Sequence, residues 1–241
     1  MKTDIHQPSV NYRGAIDRAE YDEGLRQHML KVYNIMGLGL VLTGAVAFLT
    51  ASTPVLFNAI FGTPLQWVVM LAPLAFVFFI SFKVDSMSAS KAQMLFWAFA
   101  GVMGLSSAWI FQVYAGGSIA RVFFITATLF GVMSLYGYTT KRDLSGMGSF
   151  LFMGLIGVVI ASLVNIFLQS SALQFAVSII GVLVFTGLTA YDTQRIKELY
   201  DEGAGAESMS KLAVMGALSL YLSFINLFML LLQFFGMQQQ D

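Results

Sequence analysis

Apolar residues in this chain gather into long runs separated by short polar breaks. A helix needs about 20 mostly apolar residues to cross the hydrocarbon core of a bilayer. Seven runs approach or reach that length: Tyr33 to Ala51, Gln66 to Val84, Gln93 to Ala115, Val122 to Thr139, Phe150 to Gln169, Gln174 to Thr193 and Leu212 to Gly236. The pattern predicts an all-α membrane protein with seven transmembrane helices, successive helices running antiparallel because the connections are short. Residues 1–31 are expected to form an N-terminal tail, and residues 32–241 the seven-helix transmembrane domain. Ile16, Leu25 and Met29 fit one face of a helix leading into the first span; a solvated, mobile tail is the alternative.

Composition agrees with a bilayer as the main partner. Of 241 residues, 57% are hydrophobic and 11% charged, against about 25% charged in soluble domains. The formal net charge is zero, so no basic field exists for nucleic acid and no nucleic-acid partner is expected. Cysteine is absent, which excludes disulfides and thiolate chemistry. The first thirty residues mix acidic and basic side chains without an apolar centre, so no cleavable signal peptide is expected.

Lys and Arg set the orientation. Lys2, Arg13, Arg18, Arg26 and Lys31 lie before or at the start of the first span. Lys83 and Lys91 follow the second, Lys141 and Arg142 the fourth, and Arg195, Lys197 and Lys211 the sixth. These are 12 of the 13 basic residues, leaving Arg121 on the other side. The N-terminus is therefore expected in the cytoplasm and, with an odd number of spans, the C-terminus outside.

Polar residues within the spans carry the functional information, because lipid offers them no hydrogen-bond partners. In the last span, Gly216, Ser219, Ser223, Asn226 and Gln233 fall on one stripe at helical spacing within a Leu, Phe and Met coat. Such a seam faces either a path through a bundle or a close helix–helix interface. Gly154, Ser162, Asn165 and Gln169 approximate a face of the fifth span. Ser178, Gly181, Thr189 and Asp192 align on the sixth. The fourth span's Ala127, Gly131, Ser134 and Tyr138 read as close packing. Trp67 and Tyr114 fit an interfacial aromatic belt at the outer boundary.

Asp192 is the sharpest candidate, sitting at the end of the sixth apolar run. It is either an interfacial charge paired with Arg195 at i+3 or an acid drawn into the bundle, and the residues alone leave both readings open. Catalytic chemistry finds little support. The histidines, His6 and His28, both precede the first run, so a Ser–His hydrolase lacks its base. No HExxH zinc motif occurs. An aspartyl dyad would need a second carboxylate, and the seventh run has none. A retinal-type Schiff base would need a lysine within that run, which is also missing. No enzymatic activity, metal site or cofactor is expected.

Several stretches resemble the Bax inhibitor-1 (transmembrane Bax inhibitor motif) family in its bacterial branch. They are HMLKVYNIMGLGLVLTG in the first span, MSLYGYTTKRDLSGMGSFLFMGLIG across the fourth-to-fifth junction, LVNIF in the fifth, GVLVFTGLTAYDTQRIK in the sixth and GALSLYLSFINLFMLLLQFFG in the seventh. The resemblance implies a seventh helix held centrally by the other six. It also implies a pH-sensitive leak of calcium ions across the inner (plasma) membrane, with calcium and protons as permeant or regulatory ions. An aspartate of the sixth helix and one of the seventh form the family's acid pair. The first carries over to Asp192. The second does not: the family's LYLDFINLF reads LYLSFINLF here, which puts Ser223 at the paired position. A basic partner from the second helix has no clear counterpart; Lys83 and Lys91 are nearest in sequence.

Two close carboxylates titrate as a coupled unit. Serine removes that like-charge coupling and offers a hydroxyl donor instead, so a weaker pH response near neutrality is expected. Thr189, Asn165, Ser219 and Asn226 are candidate linings of the path, with Asp143 and Arg195 at its cytoplasmic mouth. Asp143 fits a helix cap equally well. The resemblance also allows an alternative function, a regulatory membrane protein that modulates a membrane-bound protease or another membrane complex. Its contact surfaces would be the tail and the loop Glu198 to Ser210, which carries Asp201, Glu202 and Glu207.

Overall fold

The computed structural model describes residues 10–237, with the side chains of residues 10–19 and of Asp85 outside the description. Residues 1–9 of the expected tail, His6 among them, lie outside the described residues, as does the side chain of Ile16. Among the described residues the regular structure is helical: α1 (Val10–Ser52), α2 (Pro54–Phe61), α3 (Leu65–Lys83), α4 (Ala89–Ser107), α5 (Ile110–Val113), α6 (Gly116–Thr139), α7 (Ser145–Leu168), α8 (Ser171–Glu198) and α9 (Ala206–Phe235). Seven segments are long and apolar enough to cross a membrane, α4 and α5 together making the third.

The apolar runs locate every span, but the helices outlast them. α6, α7, α8 and α9 each begin several residues earlier than their run, and α8 continues to Glu198. Helical hydrogen bonding does not stop at the hydrocarbon boundary, whereas an apolar run does. Chain ends are set by local chemistry. Pro54 disfavours helical backbone at Thr53, which is extended, and then opens α2 at its first turn. The Ser88 and Ser170 hydroxyls accept from the third backbone N–H beyond them and cap α4 and α8. Gln169 ends α7 in the left-handed region at φ 49°.

α1 is a single helix of 43 residues. Leu25 and Met29 are buried against the bundle, as the amphipathic reading expects of these two residues. Lys31 Nζ donates to Ser210 Oγ at 2.8 Å, tying α1 to the start of α9.

The last span is the most enclosed: 61% of its apolar window is buried, against 11% for α7. Its main neighbours are α1, α4, α6 and α8, while α3 packs on α4 and α7 on α8. The centre is aromatic, with Phe96 and Phe99 edge-on to Tyr221 at 5.7 and 5.4 Å. Thr43 donates to the Ala100 carbonyl at 2.8 Å, so the Tyr221 hydroxyl, 2.6 Å away, donates to Thr43. Small residues let backbones close in. A Cβ on Gly137 would collide with the Ala190 backbone of α8, and one on Gly104 would sit 2.7 Å from the Thr43 carbonyl of α1.

The two ends of the bundle are distinct. One end gathers the Lys31–Ser210 contact, the Glu207 carboxylate accepting from Ala89 N at 3.3 Å, and the Arg142–Leu144 connection. At the other, Ala115 N donates to Met237 O and Met237 N to Ser118 Oγ. Tyr114 departs from the expected lipid belt: it is 7% exposed and its ring lies against Gly236. The chain after α9 folds back over that position, which no linear pattern indicates.

Candidate functional site

Asp192 projects from α8 into a space lined by α7 and α9, both of which pack on α8. The gap is a cleft of about 920 Å³, lined on α9 by Ser219, Ser223, Asn226 and Gln233 and on α7 by Ser162 among larger apolar side chains. The polar stripe predicted on the last span thus faces one cleft. The spacing of 4, 3 and 7 residues keeps these groups on one side of α9, with Gly216 of the predicted stripe lining a smaller cavity beyond them.

Within the cleft, Ser223 Oγ donates to Asp192 Oδ2 at 3.2 Å. Ser223 is 4% exposed. The Ser219 hydroxyl, one turn earlier, interacts with the same carboxylate. Arg195 is exposed on the rim and acts on the Asp192 carboxylate through space, with no ion pair within 4 Å between them; among the described residues, Arg26 and Glu23 form an ion pair at 2.8 Å. The carboxylate thus faces the cleft and the serine hydroxyls of α9, with Arg195 at the rim. Lys83 and Lys91 lie on α3 and α4, away from the cleft.

The other sequence candidates separate. Asn226 lines the cleft and its Nδ2 donates to the Leu222 carbonyl at 2.8 Å. Thr189 is fully buried, donates to the Phe185 carbonyl, and stands outside the cleft lining. It shares the helical spacing of Asp192 but lies on the flank turned toward the core. Asn165 is also outside the lining: its Oδ1 accepts from Ser170 N at 3.0 Å and fastens the turn from α7 to α8. Asp143 accepts from Ser145 N at 2.8 Å in a turn ahead of α7. The Ser145 hydroxyl and backbone N–H hold its carboxyl below the usual range.

Two supports of the site carry weak sequence signals. Gln194, 6% exposed, accepts from Leu144 N and donates to the Arg142 carbonyl, each at 2.8 Å. It clamps the fourth-to-fifth connection onto α8, half a turn beyond Asp192. A hydroxyl chain also crosses three helices. Thr193 donates to the Thr189 carbonyl, so Ser134 donates to Thr193 at 2.9 Å and Tyr33 to Ser134 at 2.6 Å. An uncharged amide after a span and a lone serine on a packing face look ordinary in sequence.

The fold and cleft define a multi-pass, all-helical membrane protein with a carboxylate set between its last three spans. The chain belongs to the Bax inhibitor-1 family: the model described as inhibitor of apoptosis-promoting Bax1 matches residues 25–240. An uncharacterized protein of Rickettsia prowazekii is 50% identical over 216 residues, covering 90% of this chain and 92% of its own. One from Caulobacter vibrioides is 48% identical over 232 residues, covering 91% and 93%. The inner membrane protein YbhL of Escherichia coli is 47% identical over 216 residues, covering 88% and 92%.

Proposed function

We propose that the protein is a pH-sensitive calcium-ion leak path of the inner membrane, with Asp192 as its titrating gate and its N-terminus in the cytoplasm. The observation that carries this reading is a carboxylate that accepts from a serine hydroxyl and forms no ion pair within 4 Å among the described residues, set in a polar-lined cleft between spans. An intramembrane acid that serves no ion pair is costly and is retained where protons or ions are handled. Among the side chains that line the cleft, the carboxylate, two serine hydroxyls and the Asn226 amide supply oxygen, with Arg195 at the rim. Such donors suit a hard divalent cation. The inner membrane follows the similarity to YbhL. The cytoplasmic N-terminus follows the charge asymmetry, and contacts between the basic connections at one end of the bundle support it.

Ser223 lends Asp192 a hydroxyl in place of a second acid, so the pH response is shallower than that of an acid pair. The test is calcium flux into proteoliposomes between about pH 6 and pH 8. Ser223→Asp is expected to sharpen the pH response, and Asp192→Asn to remove it. No flux above empty liposomes from the unmodified protein overturns the leak reading. That result would direct the search to membrane-protein partners of the tail and of the Glu198 to Ser210 loop.

A further inference from the structure

Asp192 has a second face. Together with Ser219 and Arg195 it also lines a smaller cavity of about 230 Å³ between α1, α8 and α9, and the far wall of that cavity holds His28. His28 is 6% exposed, and its Nε2 has no hydrogen-bond partner among the described residues. A buried polar atom without a partner is rare, and ordered water is the usual remedy. The cavity has room for several waters and offers four polar side chains: the imidazole, the carboxylate, the Ser219 hydroxyl and the Arg195 guanidinium at its rim.

We propose that His28 and Asp192 form a water-bridged titrating pair, with His28 as the second protonatable group of the ion path. The pair occupies the functional place left by Ser223, which cannot titrate. It lies toward the end of the bundle where the basic connections meet, so protons reach Asp192 from that side. A proton taken up at His28 Nε2 passes to the bridging water, which releases one of its own to the carboxylate. The imidazole ends neutral and the acid protonated.

The other charged and titratable groups around the pair are few. Lys31 lies one turn beyond His28 on α1, with its amine on Ser210. The Tyr200 ring, in the connection after α8, lies 5.6 Å from the imidazole. Arg195 stands at the rim, and α9 brings only Ser219 and apolar groups to the cavity. On the cleft side, α7 brings no ionisable side chain to Asp192.

This assignment deepens the leak reading, but its test needs no flux. With His6 replaced by Gln, His28 is the remaining imidazole, and its ring resonances can be followed against pH in lipid nanodiscs. In parallel, infrared spectra of carboxyl-labelled aspartate follow Asp192, with Asp192→Asn identifying its band. A coupled pair gives a two-step His28 curve, one step coinciding with the Asp192 titration. Asp192→Asn is expected to remove that step and displace the His28 midpoint by about one pH unit, and His28→Gln to displace that of Asp192. A one-step His28 curve in the otherwise unmodified protein, independent of the carboxylate band, overturns the pairing. Coupled titration without calcium flux would keep the pair and reject the leak; flux with independent titrations would do the reverse.

Discussion

Replacing Gln194 with leucine removes both hydrogen bonds that fasten the Arg142–Leu144 connection to α8 while keeping a side chain of similar size. The two halves of this clamp are unequal. Leu144 is 4% exposed, so its N–H loses its acceptor in a place water does not reach. Leaving a buried donor unsatisfied costs about 1–3 kcal/mol. Arg142 is exposed, so its carbonyl can turn to water and loses only about 0.5–1.5 kcal/mol. The first figure corresponds to roughly a 5- to 150-fold rise in local opening. Hydrogen exchange read at the Leu144 amide should therefore accelerate by about that factor in Gln194→Leu. Gln194→Glu keeps the acceptor for Leu144 N and removes the donor to Arg142, so that amide should stay near its original protection. An unchanged Leu144 exchange rate in Gln194→Leu, within about twofold, would refute the clamp.

Gly137→Ala forces a methyl group against the Ala190 backbone and should cost about 1–3 kcal/mol in unfolding measurements. Gly131→Ala, with nothing within 4 Å of the new atom, should be neutral or stabilising by up to about 1 kcal/mol; equal effects at the two sites would contradict the packing assigned to them. Thr43→Val deprives the buried Tyr221 hydroxyl of its acceptor and should destabilise by about 1–3 kcal/mol. Adding Tyr221→Phe should recover part of that loss in a double-mutant cycle, whereas strict additivity would show that the two hydroxyls do not interact. Asp143 is held below the usual carboxylate range by Ser145, so its turn is stabilised above the ordinary value and loosens only as pH falls through the lowered one. The Ser145 amide resonance should stay fixed from about pH 8 to pH 5 and move only in stronger acid; movement near neutrality would contradict this.

The parts of the site differ in how far sequence reveals them. The stripe of Ser219, Ser223 and Asn226 was legible because helical periodicity places residues on a face before any partner is known. Thr189 and Asn165 share comparable spacing yet stand outside the cleft. Thr189 lies on the core-facing flank of α8, and Asn165 is taken up by the turn that follows α7. Periodicity assigns a side, but a neighbouring helix decides whether that side meets a cleft, a core or a loop. Gln194 and His28 carried little signal for the same reason, since the groups they face lie about 50 and 164 residues away in the chain.

Sequence by itself determined the all-helical class, the seven spans and the side on which basic residues accumulate. Each follows from a local rule: apolar length against bilayer thickness, or charge against the cost of translocation. Tertiary structure decided that α7 packs on α8, that Asp192 enters the cleft lined by α7 and α9 with no ion pair within 4 Å among the described residues, and that His28 lines the cavity on its other face. Those outcomes depend on how closely helices approach, which small residues such as Gly137 permit only in company with a particular neighbour.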